Sequence, residues 1–202
     1  MNDNILIEFF RYINRLVDKE KLMASLAYYG APLFMEDKSS ILFNVTKGSH
    51  GLYDIWEKYK DSVLSNEYSY YELNKTNKCI NVLIYKKDRL NSILLNSETQ
   101  NFLHFYGYEV CTDLKSHLQL LSDRYKNGCP HEIGIFLDYP LNDVKSFIKD
   151  CGKNCICCGY WKVYHNESKA IKRFNAYDKA KEQVMVNILR GFAPLPEASA
   201  CY

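Results

Sequence analysis

The residue type best suited to general-base chemistry in this chain is the histidine at position 131. It follows Gly128 and Pro130 and, with Glu132, opens the apolar run Ile133-Gly134-Ile135-Phe136-Leu137. A short apolar run bounded by turn residues predicts a strand over 133–137, with the imidazole of His131 at its mouth and facing a cleft. An imidazole changes charge near neutral pH, so at such a place it serves either as a base or as a ring held by a backbone carbonyl. Cys129 lies two residues earlier and would point to the same face. Side chains at i and i+2 on a strand stand about 7 Å apart, too far for direct proton transfer without a bend. Asp138 is the carboxylate placed to orient the imidazole, with Glu132 and Asn166 as rivals. A seven-residue strand spans roughly 20 Å, so Asp138 reaches His131 only if the chain turns.

Other groups have weaker chemistry. Ser25 is an oxygen nucleophile candidate, but a serine on a helix commonly bonds the preceding turn. Cys151, Cys155, Cys157 and Cys158 crowd around Gly152 and Gly159. Adjacent thiols on a strand face opposite ways and the paired knuckles of a zinc site are absent, so these cysteines are expected in a reduced core and no metal is expected. His50, His104, His117 and His165 share no ligand spacing. Neither a Walker A loop nor a dinucleotide fingerprint is present, and no cofactor is expected.

Composition sets the limits. A chain of 202 residues with 47% hydrophobic content can bury one core, and one domain over 1–190 with a tail over 191–202 is expected. The net charge is +2, with 26 basic and 24 acidic residues interleaved, so no basic stripe for nucleic acid is visible. No apolar run approaches the ~20 residues of a membrane span, and the first residues, Met-Asn-Asp-Asn, are acidic where a signal peptide is basic. Cytoplasmic location with reduced cysteines is expected, and no membrane or nucleic-acid partner. Composition leaves the oligomeric state open.

The elements that position these groups read as follows. Ile5, Phe9, Tyr12, Ile13 and Leu16 recur at helical spacing, and a second helix runs from Asp18 through Tyr29 to a stop at Gly30-Ala31-Pro32. Residues 41–45 form a strand, a helix follows over 52–63, and 79–85 is the clearest buried strand. Helices are predicted from Asp88, from Ser97 and from Thr112, the last ending at Asn127-Gly128. Beyond the strand at 133–137 come a helix from Pro140, a strand over 156–164 and a long helix from Asn166 to Gly191. On the 156–164 strand, Tyr160, Lys162 and Tyr164 would share one face, with Trp161 on the other as an aromatic wall. The order predicts an α+β fold with a small, mostly antiparallel sheet of about four strands flanked by helices.

Two segments carry a resemblance. The string Cys129-Pro130-His131-Glu132-Ile133-Gly134-Ile135-Phe136-Leu137-Asp138-Tyr139-Pro140, together with Cys158-Gly159-Tyr160-Trp161-Lys162-Val163-Tyr164, resembles the clostridial family filed as domain of unknown function 3793. Gly30-Ala31-Pro32, Lys38 and Leu42-Phe43 align more loosely with that family's His-Cys-Ala-Pro motif and the Lys and Leu-Phe after it. The resemblance covers most of residues 20–185. It implies a papain-like or transglutaminase-like arrangement, in which an imidazole generates a thiolate that attacks an acyl carbon and a third group orients the imidazole. The activity implied is a cysteine-dependent acyltransferase or amidase acting on an amide or thioester, with a small-molecule or carrier-bound acyl substrate, in anaerobic secondary metabolism. His131 is then the base and Asp138 its orienter, with Tyr29, Trp161 and Lys162 against the substrate. The departure from the pattern is the nucleophile. Gly30 stands where the family has cysteine and Tyr29 where it has histidine. The chain is a non-catalytic, ligand-binding relative, its nucleophile lies elsewhere, or a cysteine has been replaced at Ala27, one helical turn before Gly30, with Ala24 the weaker choice.

Overall fold

The computed structural model describes residues 3–48 and 51–194. Two helices open the chain, α1 (Asp3–Ile13) and α2 (Asp18–Met35). In α1 the four-residue spacing of Phe9 and Ile13 puts both in the core. The expected stop at Gly30 does not occur, and α2 continues through Pro32 for another turn. Proline removes one helical hydrogen bond, but Ala31, Pro32 and Leu33 are all buried here, and packing outweighs the local preference. Gly30 has a packing role of its own. The ring of Phe34 lies where a Cβ at position 30 would be.

Strand β1 (Ser40–Thr46) leads through α3 (Tyr53–Tyr59) and a 3-10 turn to the hairpin of β2 (Ser69–Lys75) and β3 (Cys79–Tyr85). The sheet is antiparallel, in the order β1-β3-β2, with Phe43 opposite Val82 and Val82 opposite Glu72. β3 lies at its centre and is buried on both faces. Ile80, Val82 and Ile84 join one hydrophobic cluster with α1, α2, α3 and the end of the last helix, while Leu83 and Tyr85 join a second with the helices that follow. Strand alternation thus feeds two cores from one strand. β2 was not legible in its polar sequence. Thr76 makes the turn by accepting from the amides of Lys78 and Cys79, and a bulge at Leu73 drops that side chain into the second cluster.

Four helices follow: α4 (Lys87–Leu94), α5 (Ser97–His104), α6 (Leu114–Tyr125) and a short α7 (Ile133–Phe136). Asn96 caps α5, and Asp113, not Thr112, caps α6 through a reciprocal box with Ser116. α7 overturns the strand expected over 133–137. Its residues are buried on every side, so the apolar run carried no periodicity to separate a buried turn of helix from a buried strand.

After α8 (Leu141–Lys149), the expected strand over 156–164 is a tight hairpin of two short strands, β4 (Cys157–Cys158) and β5 (Lys162–Val163). The chain reverses at Gly159-Tyr160, so Tyr160 does not share a strand face with Lys162 and Tyr164. α9 (Glu167–Leu189) closes the fold, and Gly191, at φ +83°, ends it in the left-handed region. The class is α+β with a small antiparallel sheet. No helix among the described residues is long and apolar enough to cross a membrane. The tail expected at the C-terminus is described only as far as Pro194, and 195–202 lie outside the described residues.

Candidate functional site

The conspicuous polar cluster forms where the loop after α2 meets the end of α7. Ser40 and Lys38 donate to the carbonyls of Phe136 and Leu137, the groups that the end of a helix leaves unpaired. Lys38 is 5% exposed, and its ammonium lies 5.1 Å from the ring centre of Tyr139 and 5.8 Å from that of Tyr177. Burial pulls its pKa down to about 8, with Asp138 opposing the fall and Arg173 adding to it. Asp138, held at φ +60°, accepts from Arg173 Nη2 at 2.9 Å. The guanidinium of Arg173 also sits over Trp161, 5.4 Å from the ring, and its Nε donates to the Tyr177 hydroxyl.

Tyr139 and Trp161 stack with ring centres 5.4 Å apart and form a wall with a cavity on each side. Asp143, in the first turn of α8, holds this wall in place. It is 2% exposed and accepts from Trp161 Nε1 at 2.8 Å and from the amides of Tyr164 and His165 at 2.9 Å. All three donors come from the hairpin and the residues after it, so one carboxylate fastens that segment to α8. Lys162 adds a second tie by donating to the carbonyl of Gly152 at 2.7 Å.

The cavity on one side, about 260 Å³, is the more polar of the two, with Asp138, His165, Asn166, Lys169 and Arg173 among its lining. The other, about 220 Å³, is apolar, and Pro130, Ile133, Val144 and Phe147 line it beside Cys129 and His131. The exposed ring of His131 packs edge-on against Phe147, with centres 5.2 Å apart. Cys129 donates its thiol hydrogen to the Tyr125 hydroxyl at 3.3 Å.

The structure brings His131, Trp161 and Lys162 to one cavity and places Asp138 on the neighbouring one. Asp138 is engaged by Arg173 and makes no hydrogen bond to His131. Its rival Glu132 is buried against Arg124 and Tyr108, and Asn166 lines the polar chamber. The positions expected to have carried a nucleophile are elsewhere. Gly30 is buried within α2, and Ala27 lines a small cavity with Phe34, Met35 and Val184. Tyr29 and Ser25 line a third space, between α1, α2 and β1. None of these four borders either chamber beside the Tyr139-Trp161 wall.

Asp143 and Arg173 were missed from the sequence. An acid in a first helical turn and an arginine on a long helix are both common, and nothing in their spacing marked them. Lys38 was visible only through the motif it follows. Cys151 and Cys158 are exposed, and Cys155 and Cys157 are half-buried. Among the described residues no three histidine, cysteine or acidic groups converge as metal ligands.

Lys38, His131, Asp138, Tyr139 and Trp161 all belong to the segments that carry the resemblance, and four of them meet within one aromatic and ionic cluster. Neither the curated proteins nor the solved structures contain a match to this chain. A family's sequence model matches residues 26–195, which spans these segments, and the chain belongs to that family, described as Protein of unknown function (DUF3793).

Proposed function

We propose that this chain is a ligand-binding protein that holds an acyl amide or acyl thioester across the Tyr139-Trp161 wall. The acyl chain lies in the apolar chamber and the amide-bearing end in the polar one. The observation that carries the reading is the sharing of Tyr139, Asp143 and Trp161 by two chambers, one with several ionic side chains in its lining and the other predominantly apolar. Either chamber alone is smaller than the roughly 300 Å³ at which ligand pockets begin, whereas the two together exceed it. The polar chamber has Glu98, Asp138 and Asp143 among its lining against Lys169 and Arg173. That balance favours a neutral amide over a free carboxylate head. The residues at positions 27 and 30 offer no nucleophile.

A second reading is favoured by Cys129 and His131 lining the same apolar chamber. In it the papain-like pairing is rebuilt from these two residues. The Cys129 thiolate attacks the acyl carbon of a thioester, the C–S bond of the substrate breaks, and the departing thiolate takes the proton that His131 received from Cys129. An amine or water then releases the acyl group.

Titration with S-butanoyl- and S-hexanoyl-N-acetylcysteamine separates the readings. Burial of two further methylenes tightens binding by roughly tenfold for the longer chain, and Phe147→Ala removes that gain. Intact ligand with no covalent adduct supports the binding protein, and an acyl mass on Cys129, abolished by His131→Ala, supports the transferase. Absence of saturable binding by either thioester removes both.

A further inference from the structure

A cavity larger than either chamber takes no part in that reading. It measures about 470 Å³, within the usual range of small-molecule sites, and lies between α1, α2 and β1. Lys21, Ser25 and Tyr29 reach it from α2, and their spacing of four residues puts them in one stripe along a single helix face. We propose that this cavity is a binding site for a small aromatic carboxylate.

Three observations specify the ligand. First, the Ser25 residue is 3% exposed and borders the cavity, yet its hydroxyl forms no hydrogen bond with any described residue. A helical serine ordinarily bonds the carbonyl one turn back or faces water. This one does not bond the turn before it, and it lines the cavity, where a ligand oxygen can accept its hydrogen bond in place of water. Second, Lys21 is the one charged residue of the lining and has no carboxylate partner among the described residues. The nearby Asp18 lies at 4.0 Å from Lys58 instead. One uncompensated ammonium calls for one negative charge. Asn44 adds a neutral donor, because its oxygen is occupied by Asn81 Nδ2 at 2.7 Å and its own amide hydrogens remain free. Third, rings and branched chains make up most of the remaining walls, with Asn14 and Thr46 beside them. Phe10, Tyr29 and Phe43 border the space, and the last two rings lie 6.0 Å apart. One ammonium, neutral donors and aromatic rings in the same lining match a single carboxylate on a flat body. A phosphate, with two charges to neutralise, would need more cationic groups than the lining holds.

The test is titration of the full chain with 2-naphthoate, followed by ligand-detected NMR and calorimetry. The expected result is saturable binding below about 1 mM, weakened roughly tenfold or more in Lys21→Met. The uncharged 2-naphthylmethanol binds at least as weakly to the wild type as naphthoate does to that variant. Ser25→Val, which fills the donor's place with a methyl group, also weakens naphthoate. Lys21 is only partly buried, so Lys21→Met retains the wild-type thermal unfolding and remains informative if Ser25→Val does not fold. S-hexanoyl-N-acetylcysteamine leaves naphthoate binding unchanged, because the cavity shares no lining residue with the two chambers. The proposal is overturned by no saturable binding to the wild type, by equal affinity for the alcohol, or by an affinity that survives Lys21→Met.

Discussion

Lys38 stores the largest electrostatic strain in the site. Its ordinary pKa of 10.5 falls to about 8 in the folded chain, chiefly because burial removes water from the ammonium. Between those two values the unfolded chain binds more protons than the folded one. The cost of the buried charge is therefore present in full below about pH 8 and is relieved as pH rises toward 10.5. Lys38→Met has no such group to titrate, so subtraction of the two unfolding free energies cancels every other titration. Wild type should gain on the variant by about 2 kcal/mol between pH 7 and pH 10, read from urea unfolding at each pH. No pH dependence of the difference would mean that the ammonium is solvated.

Gly30 poses the opposite test at the same scale. Gly30→Cys restores the thiol of the family motif, but Phe34 must turn aside to admit it, and His131 borders a different cavity. The new thiol should therefore alkylate with iodoacetamide no faster than an ordinary buried cysteine, and a thiolate already formed at neutral pH would refute this. His131, Asp138, Trp161 and Lys162 were readable as candidates because their residue types stand at turns and at the edges of apolar runs. Their partners were not readable. Asp138 looked like an orienter for His131 and is bound by Arg173, which comes from α9, and no local pattern announces a pairing across 35 positions.

At the scale of elements, the hairpin of β4 and β5 is the least self-sufficient part of the fold. Two-residue strands cannot stand alone, and this pair is held by Asp143 from α8, by Lys162 on Gly152 and by Trp161 packed on Tyr139 and Phe174. Asp143→Ala leaves the indole N–H and two amides without their acceptor in a buried place. The expected loss is about 3 kcal/mol or more of unfolding free energy, with a shift in Trp161 fluorescence that Asp143→Asn, which retains one acceptor oxygen, reduces. A loss under about 0.5 kcal/mol would show that water replaces the carboxylate.

The same scale shows where sequence reading succeeds. β3 was predicted over the residues it occupies, since seven apolar and β-forming residues between polar flanks have few other solutions. α1, α8 and α9 followed from periodicity. α7 and the hairpin did not, for different reasons. The apolar run at 133–137 has no alternation to read, and Gly159 lies inside a run that otherwise looks continuous, where it marks a reversal instead of a strand residue.

For the whole molecule, the sheet separates two hydrophobic clusters, and the two candidate ligand sites lie in different settings around it. The naphthoate cavity is built from α1, α2 and β1, and the acyl cleft from the α7-α8 connection, the hairpin and α9. A ligand that binds only the folded state stabilises it by ~2.7 kcal/mol at one hundred times its dissociation constant. For a chain of this size that corresponds to a rise of about 5–10 °C in the thermal midpoint. S-hexanoyl-N-acetylcysteamine and 2-naphthoate should each produce such a rise, and the two together the sum. A combined shift no larger than either alone would mean a shared site.

The sequence by itself determined the class, an α+β chain with a small antiparallel sheet, because hydrophobic spacing at periods of two and near four is local information. It determined also the family, whose model spans residues 26–195 and with them the segments around Lys38, His131 and Trp161. Only the tertiary structure decided which of those segments meet: Lys38 on the carbonyl of Leu137, Asp138 on Arg173, and Tyr139 against Trp161, with Gly30 and Ala27 packed elsewhere in α2. Such pairings depend on how buried faces and unpaired helix ends are satisfied at long range, and many chain paths share the same local pattern.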